Sequence, residues 1–345
     1  MEKEIFKNKI AFTCCSNNYL AQAKVLGDSL LEHNPDYQFI ICLVDQLDEN
    51  LDYSFFSPHT IIPIEKLQIP NFEEVYLKYN IIELNTAVKA TCFKYLLKEY
   101  KIDFLYYFDP DIMIFNKLDG LEKEFNQNEI LLTPHIVSPI EFDELEPREN
   151  MFLNYGIYNL GFLGVKNHSS NVNSFLDWWE NRTLYHGFID VKNGFFVDQL
   201  WINYVPLFFE KVKITFNLGC NTAPWNIHER KQLSKIGENY TINEKDELVF
   251  YHFSSYSYQF PDRLSKAYTR NTFETCPDYR KIYKIYHEMI VANNVEFISK
   301  LKCSFVTKRE NITHSSKVII YKQSIYKKYA RLLVPPILFK LIGKS

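Results

Sequence analysis

The stretch Phe104-Leu-Tyr-Tyr-Phe108-Asp109-Pro110-Asp111-Ile112-Met-Ile-Phe115 places two carboxylates between two apolar runs. An apolar run of this length, bounded by turn residues, predicts a buried strand, which here ends in Asp109 and Asp111. Two hard oxygen ligands at the end of a rigid strand suit Mg²⁺ or Mn²⁺, ions that also contact a substrate diphosphate. An Asp-x-Asp pair has a second interpretation as a solvated turn, so the rest of the chain has to decide.

Strand and helix patterns alternate through the first half of the chain. Residues 10–14 form an apolar strand pattern, and apolar positions then recur at helical spacing from Leu20 to Leu30. Residues 37–44 predict a second strand that ends at Asp45, and a helix is predicted near residues 85–100, before the strand that carries Asp109. This βαβ order predicts an α/β fold with a mixed, mostly parallel sheet flanked by helices.

The second half of the chain gives a less regular pattern. Strands are predicted at residues 129–134 and 247–253, and helices at 173–181, 196–205 and 279–293. Two prolines and four acidic residues between positions 139 and 147 predict a surface loop of the kind that often holds acceptor specificity. We expect a catalytic domain over residues 1–266 and a helical region over residues 267–345.

Composition narrows the class of protein. A chain of 345 residues with 46% hydrophobic content can bury the core of one large α/β domain and a smaller element. The seven cysteines show no Cys-x-x-Cys spacing, so neither a disulfide framework nor a structural zinc site is predicted from spacing. Residues 1–13 lack the long apolar core of a signal peptide, which predicts a cytoplasmic protein.

Charge is distributed unevenly along the chain. Residues 300–345 contain eleven Lys or Arg and one acidic residue, Glu310, whereas the other 299 residues contain 28 basic and 41 acidic side chains. Apolar residues mix with the cations after Tyr326, as in a basic amphipathic segment on an anionic membrane surface. The alternative is a helical appendage that packs its apolar face on the main domain. Nucleic acid is not expected as a partner, because the acidic body would repel it.

Motif absences exclude two common nucleotide folds. No Gly-x-Gly-x-x-Gly follows the first strand, and no Gly-x-x-x-x-Gly-Lys occurs, which argues against a dinucleotide fold and a P-loop. Phosphatases that use Asp-x-Asp as nucleophile and acid have a Thr two residues further on, where this chain has Met113.

Four further stretches complete a recognisable order of motifs. They are Thr86-Ala-Val-Lys89, Tyr158-Asn-Leu-Gly161-Phe, Phe196-Val-Asp198-Gln199 and Tyr251-His252-Phe-Ser254. Together with the mid-chain Asp-x-Asp, this order resembles family 8 of the glycosyltransferases and related bacterial surface-polysaccharide enzymes, which have the GT-A fold. The resemblance covers about residues 8–266. It implies transfer of a sugar from a nucleotide-sugar, such as a UDP-sugar, to a glycan acceptor.

The resemblance also implies roles for single residues. Asp109 and Asp111 would bind Mn²⁺ or Mg²⁺ and help to hold the donor, and His252 would be the third protein ligand of the cation. Lys89 matches a basic residue near the donor, and Asn159 matches an amide that meets the donor sugar or the acceptor. The competing interpretations are an exposed helix lysine and a turn amide.

Asp198 and Gln199 match the positions that face the anomeric carbon in the retaining enzymes. Asp198 would hold hydroxyl groups of the donor sugar, and Gln199 would stabilise the oxocarbenium-like centre. An amide is a poor nucleophile, which favours front-face departure over a covalent intermediate. In an inverting enzyme, Asp198 would be the general base. Capping of a helix start is the alternative interpretation of both residues.

The chain also departs from the family pattern. The family has a Gly and then Lys-Pro-Trp after the metal-binding His, with the Lys on the diphosphate, whereas here only Arg263 or Lys266 would replace that Lys. Further donor-binding candidates lie at the ends of the first two strands: Thr13, Cys14, Ser16 and Asp45. Candidates for the acceptor side are His135, Trp225 and His228.

The sequence therefore predicts a Mn²⁺- or Mg²⁺-dependent glycosyltransferase of GT-A fold. Its acceptor would be a growing lipid-linked or lipopolysaccharide glycan, reached from the inner face of the membrane through residues 300–345. Two alternatives stay open: a metal-dependent phosphohydrolase or nucleotidyltransferase that uses Asp109 and Asp111, and a binding protein that has lost turnover.

Overall fold

A seven-stranded sheet runs through the centre of the protein, in a computed structural model that describes residues 9–314. The strands are β1 (Lys9–Cys15), β2 (Tyr37–Leu43), β3 (Thr60–Pro63), β4 (Phe104–Phe108), β5 (Ile112–Ile114), β6 (Ile130–Pro134), β7 (Tyr158–Lys166), β8 (Ile189–Asp190), β9 (Phe195–Phe196), β10 (Val212–Ile214), β11 (Leu233–Ile236), β12 (Asn239–Ile242), β13 (Asp246–Glu247) and β14 (Phe250–His252). The helices are α1 (Leu20–His33), α2 (Phe72–Lys78), α3 (Ile81–Ala87), α4 (Lys89–Glu99), α5 (Asp119–Glu124), α6 (Met151–Tyr155), α7 (Ser170–His186), α8 (Val205–Phe208), α9 (Arg280–Ala292), α10 (Val295–Ile298) and α11 (Ser304–His314).

The central sheet has the strand order β10-β6-β7-β4-β1-β2-β3. Strand β7 is antiparallel to both of its neighbours, and the other neighbouring pairs are parallel. The predicted α/β class with a mostly parallel sheet is confirmed. The parallel strands β1 and β4 bring their carboxyl ends to the same edge, which is where open α/β sheets bind ligands.

An apolar cluster covers each face of the sheet. Alternate residues of each strand contribute to opposite clusters, because successive side chains of a strand point to opposite faces. In β1, Ala11 and Cys15 join the apolar cluster on the α1 and α9 side, whereas Phe12 and Cys14 join the cluster on the α4 and α7 side. Strands buried on both faces are apolar almost throughout, as parallel strands are expected to be.

A small antiparallel pair, β5 and β14, lies next to the carboxyl end of β4. Its register pairs Ile112 with His252, although they are 140 positions apart in the chain. The Phe253 amide also donates to the Asp111 carbonyl at 2.8 Å. This pairing fixes the segment around His252 beside the two predicted metal-binding aspartates.

Three predicted elements are wrong in extent. The helix predicted at 85–100 is two helices, α3 and α4, which are separated at Val88, because the Ala87 carbonyl accepts a hydrogen bond from the Thr183 hydroxyl at 2.8 Å. The helix predicted at 196–205 begins only with a 3₁₀ turn at Leu200–Tyr204, because Val197 adopts a φ of 42°. The strand predicted at 247–253 is split between β13 and β14, which belong to different sheets.

The C-terminal region packs on the main body. Helix α9 buries Ile282, Tyr283 and Tyr286 in the same apolar cluster as α1, and the Asn293 amide donates to the Ala21 carbonyl. The domain boundary at residue 266 stays a prediction. Most of the basic tail, residues 315–345, lies outside the described residues. Within residues 9–314, no helix combines the length and the apolar character that a membrane span requires.

Candidate functional site

A cavity of about 490 Å³ opens at the carboxyl ends of β1 and β4. Its lining comes from segments that are far apart in the sequence and includes many of the predicted site residues. The lining residues that matter for the chemistry are Cys14, Ser16, Tyr19, Thr86, Lys89, Tyr107, Asp109, Asp111, His135, Asn159, Asp198, Gln199, Trp225 and His252.

Asp109, Asp111 and His252 converge on one part of the cavity wall. The His252 Nε2 atom lies 3.0 Å from an Asp111 carboxylate oxygen and 3.9 Å from an Asp109 carboxylate oxygen. One ligand atom from each residue lies within 4.8 Å of the other two. Neighbouring ligand atoms around an octahedral cation with bonds of about 2.1 Å are about 3.0 Å apart. Small side-chain movements would therefore bring the three ligand atoms to bonding distance from one cation. The three residues fit a divalent cation.

The electrostatics of this triad favour a positive charge beside Asp111. Burial would raise the pKa of Asp111, but the charge and hydrogen bond of His252 outweigh burial and lower it. Burial would in turn lower the pKa of His252, but Asp111 raises it. Two carboxylates and one imidazole form a ligand set that Mn²⁺ accepts more readily than Ca²⁺ does.

Gly161 allows the His252 ring to lie against β7. A Cβ atom at this position would be 2.6 Å from the His252 ring and 2.7 Å from the Asn159 side-chain oxygen, closer than real Cβ contacts. The Gly161 carbonyl also accepts a hydrogen bond from the Asp109 amide at 2.8 Å. The glycine of the Asn-x-Gly element therefore sets the distance between β7 and the triad.

Lys89 is buried between two carboxylates. Its ammonium lies 3.1 Å from Asp109 and 3.0 Å from Asp198, and it donates to the Leu160 carbonyl at 3.1 Å. Burial would lower the pKa of Lys89, but the two carboxylates raise it, so the lysine is charged. Lys89 is thus an internal ion-pair partner that joins the triad to Asp198, rather than an exposed helix lysine.

Asp198 is held at the cavity by its backbone and its side chain. The Trp179 indole donates to the Asp198 carbonyl at 3.1 Å, and the neighbouring Val197 has a strained, positive φ. Burial raises the pKa of the Asp198 carboxyl group to about 6, against the opposing effect of Lys89. The N-cap of the 3₁₀ turn Leu200–Tyr204 is Gln199, and no side chain caps this turn. Asp198 therefore does not act as a helix cap.

Gln199 reaches the cavity, but both ends of its amide are occupied. The oxygen accepts from the Leu160 amide at 2.9 Å and from Asn159 at 3.3 Å, and the nitrogen donates to the Tyr155 carbonyl at 2.8 Å. The oxygen thus has two donors already, which leaves little capacity for attack on a sugar carbon. In this geometry Gln199 positions Asn159 and β7.

His135 and Trp225 form one wall of the cavity. The Asn159 amide nitrogen lies 3.2 Å from the His135 Nε2 atom, and the Trp225 indole donates to the His135 carbonyl at 2.9 Å. Burial lowers the pKa of His135 to about 3, so its imidazole is neutral at physiological pH. Trp225 also packs edge-on against His252, with ring centroids 5.1 Å apart.

Five predicted site residues do not line this cavity. Thr13 is fully buried in β1, and His228 is directed to Ser138 instead. The Asp45 carboxylate accepts from the Ser304 amide and hydroxyl at 2.9 and 2.6 Å, which occupies it at the start of α11. Arg263 and Lys266 are exposed and lie over the Phe260 ring.

Two tyrosines at the site were missed by the sequence analysis. The Tyr107 hydroxyl donates to Asp109 at 2.5 Å, and Tyr19 exposes 43% of its surface at the cavity. The nearby charges of Asp111 and Asp109 add to burial in raising the pKa of Tyr19 to about 12. Tyr107 stands two positions before Asp109 in an alternating strand, so the period of β4 was a signal that could have identified it.

The chain is similar to a protein whose function is not described. No known family model matches it. It is 22% identical over 304 residues to the uncharacterized protein YfnD of Bacillus subtilis (strain 168), covering 85% of this chain and 91% of YfnD.

Solved structures similar to this chain include two glycosyltransferases. One is the galactosyltransferase LgtC in complex with donor and acceptor sugar analogs, with 16% identity and a TM-score of 0.47 over 82% of this chain and 95% of LgtC. Another is GlyE of Streptococcus pneumoniae TIGR4, with 13% identity and a TM-score of 0.45 over 86% of this chain and 66% of GlyE. These likenesses are distant, and membership of family 8 stays a prediction.

Proposed function

We propose that this protein is a divalent-metal-dependent glycosyltransferase that moves a sugar from a nucleotide-sugar, with a UDP-sugar as the expected donor, to a glycan acceptor. The observation that carries the proposal is the convergence of Asp109, Asp111 and His252 in one cavity with the Lys89–Asp198 ion pair. Transfer of a sugar from a nucleotide-sugar breaks its bond to a diphosphate. A cation bound by the triad would stabilise the leaving diphosphate, and Lys89 and Asp198 would bind hydroxyl groups of the sugar.

The donor would bind across the triad. Asp109, Asp111 and His252 would hold Mn²⁺ or Mg²⁺, which neutralises the charge of the leaving diphosphate when it is bound. Tyr19, in the 3₁₀ turn that follows β1, is partly exposed and lines the cavity, so its ring would stack on the nucleobase. On the other side of the triad, Asp198 and Lys89 would contact hydroxyl groups of the donor sugar.

Retention of anomeric configuration is the stereochemistry that we propose. Apart from the triad aspartates, Asp198 is the one carboxylate among the described residues that line the cavity, and it is bound to Lys89. The Lys89 ammonium lies 3.0 Å from the Asp198 Oδ2 atom, so it competes with an acceptor hydroxyl for this carboxylate. The Gln199 oxygen is engaged by Leu160 and Asn159, so a covalent intermediate on this amide is also disfavoured. Deprotonation of the acceptor by the leaving phosphate needs neither group.

The acceptor would approach the wall that His135 and Trp225 support, because both residues line the cavity. We propose a lipid-linked or lipopolysaccharide glycan as the acceptor. The eleven basic residues of segment 300–345 support this, since an anionic membrane surface would attract them. Sedimentation with anionic and with neutral vesicles, at low and high salt, tests the membrane component separately.

Isothermal titration with nucleotides and nucleotide-sugars, in the presence of Mn²⁺, Mg²⁺ or a chelator, tests the donor site. We expect one nucleoside diphosphate to bind only with the cation, and Asp111→Ala to weaken its binding by at least about tenfold, since a direct ligand of the cation is lost. Asp177→Ala is the matched control, because Asp177 is an exposed aspartate on α7, away from the cavity.

Two outcomes would contradict the proposal. One is the absence of nucleotide binding to the folded wild type with either cation. The other is cation-dependent binding that Asp111→Ala and Asp177→Ala reduce equally. Release of a sugar 1-phosphate or of inorganic phosphate, without transfer to any glycan, would favour the phosphohydrolase alternative.

A further inference from the structure

Three thiols meet beneath the cavity floor, outside the triad. Cys14 is in β1, Cys42 is in β2 and Cys92 is in α4, and their sulfur atoms all lie within 4.8 Å of one another. The Cys14 and Cys92 sulfur atoms are 3.4 Å apart, and no disulfide joins them. Spacing in the sequence gave no sign of this group, because 28 and 50 positions separate its members.

The fold dictates this convergence. Cys14 and Cys42 are direct partners in the parallel register of β1 and β2, so their side chains leave the sheet on the same face. Helix α4 covers that face and directs Cys92 towards the pair. All three residues are buried, and Cys14 is the one that also lines the 490 Å³ cavity. An ion could therefore enter from the cavity side.

The geometry fits a cation with a preference for sulfur. Sulfur atoms around an ion with metal–sulfur bonds of about 2.3 Å are about 3.8 to 4.0 Å apart in tetrahedral or trigonal arrangements. The Cys14–Cys92 distance of 3.4 Å is slightly shorter, and the limit of 4.8 Å for the group is slightly longer. Side-chain rotations that move the sulfur atoms by a few tenths of an ångström would therefore bring all three to bonding distance from one ion.

The bound cation itself would have to supply most of the charge that balances such a site. Burial opposes ionisation of Cys14, but hydrogen bonds from Cys42 and Cys92 and the positive charge of Lys89 outweigh it and lower its pKa, whereas the contact with Cys14 and burial raise the pKa values of Cys42 and Cys92. Binding would release the three thiol protons to solvent and form three metal–sulfur bonds, with no change of oxidation state. With Zn²⁺, three thiolates leave a net charge of −1, and with Cu⁺ they leave −2, so Zn²⁺ is the less costly of the two to bury.

We propose that Cys14, Cys42 and Cys92 form a binding site for a thiophilic cation, Zn²⁺ or Cu⁺. Lys89 and Cys92 are three positions apart on α4, so the ion would fix the helical turn that presents Lys89 to Asp109 and Asp198. The site would thereby stabilise the cavity wall from below. This proposal does not depend on the proposed transferase activity.

Cadmium titration of the reduced, metal-free full-length protein tests the site. Thiolate ligands give an ultraviolet sulfur-to-cadmium charge-transfer band that carboxylate and imidazole ligands do not give, which separates this site from the triad. We expect one equivalent of Cd²⁺ to produce the band and to raise the unfolding temperature, because a ligand that binds only the folded state stabilises it. We expect Cys42→Ser to lose the band, which is the decisive readout because Cd²⁺ bound at the triad would also raise the unfolding temperature. Cys220→Ser is the control, because Cys220 is a buried thiol in the other apolar cluster.

Competition separates the two physiological ions. Zn²⁺ or Cu⁺, the latter added under anaerobic conditions with a chelator of known affinity, should displace Cd²⁺ from wild type and from Cys220→Ser. Should Cys42→Ser be unfolded, Cys92→Ala replaces it as the second variant. An equal band in Cys42→Ser and wild type, or no band in wild type at one equivalent, would overturn the proposal.

Discussion

Replacing Lys89 by Met tests whether the internal ion pair holds the candidate site together. The substitution removes the ammonium and keeps an unbranched side chain of similar length. Lys94→Met is the matched control on the same helix, because Lys94 also has two acidic partners, Asp177 at 2.8 Å and Glu180 at 2.6 Å. The two lysines differ in environment, since the Lys94 side chain is 37% exposed and that of Lys89 is 4% exposed.

The expected magnitudes follow from that difference. Asp198 is 2% exposed and would be left without its counter-ion, whereas Asp109 is 26% exposed and water would partly replace Lys89. Loss of one partner from a buried pair lowers the free energy of unfolding by about 3–5 kcal/mol. Loss of an exposed pair, as in Lys94→Met, costs less than about 1 kcal/mol. Urea unfolding followed by circular dichroism, with a chelator present, measures both.

The loss of unfolding free energy in Lys89→Met should also depend on pH. The pKa of Asp198 is raised to about 6, above its unfolded value, so this carboxyl group contributes stability at low pH that is lost as the pH rises through about 6. Without Lys89, ionised Asp198 is disfavoured further, and the penalty should be larger at about pH 7.5 than at about pH 5. A loss equal to that of Lys94→Met, or one that is the same at both pH values, would refute the reasoning.

Two further substitutions test the geometry of the site. Gly161→Ala places a Cβ 2.6 Å from the His252 ring, so we expect Mn²⁺ affinity measured by titration to fall at least about tenfold, with a stability loss of about 1–3 kcal/mol. Gly120→Ala has open space at its Cβ and lies in helix α5, so it should leave Mn²⁺ affinity unchanged and raise stability by up to about 1 kcal/mol. Unchanged affinity in Gly161→Ala would contradict the account. Asp45→Ala removes the acceptor for the Ser304 amide, so we expect a loss of about 1 kcal/mol in unfolding free energy and unaltered nucleotide affinity by calorimetry; weaker nucleotide binding at unchanged stability would instead place Asp45 in the donor site.

Local patterns were sufficient for the framework. The apolar run before Asp109 determined a buried strand that ends in two carboxylates, and the alternation of strand and helix patterns determined a mostly parallel sheet. Both are consequences of short-range periodicity, which a single sequence displays directly. Element boundaries were less well predicted where long-range contacts intervene, as at Val88, where a side chain of α7 satisfies the carbonyl that would have continued the helix.

The composition of the candidate site was decided by tertiary structure. The register of β5 with β14 brings His252 to Asp111, the burial of α4 places Lys89 between two carboxylates, and the parallel register of β1 with β2 brings Cys14 to Cys42. None of these pairings has a local signature, because each depends on which strands and helices become neighbours after the chain folds. The sequence determined which chemical groups stand at the strand ends. Packing determined which of them share a site, since distance and burial set both their partners and their pKa values.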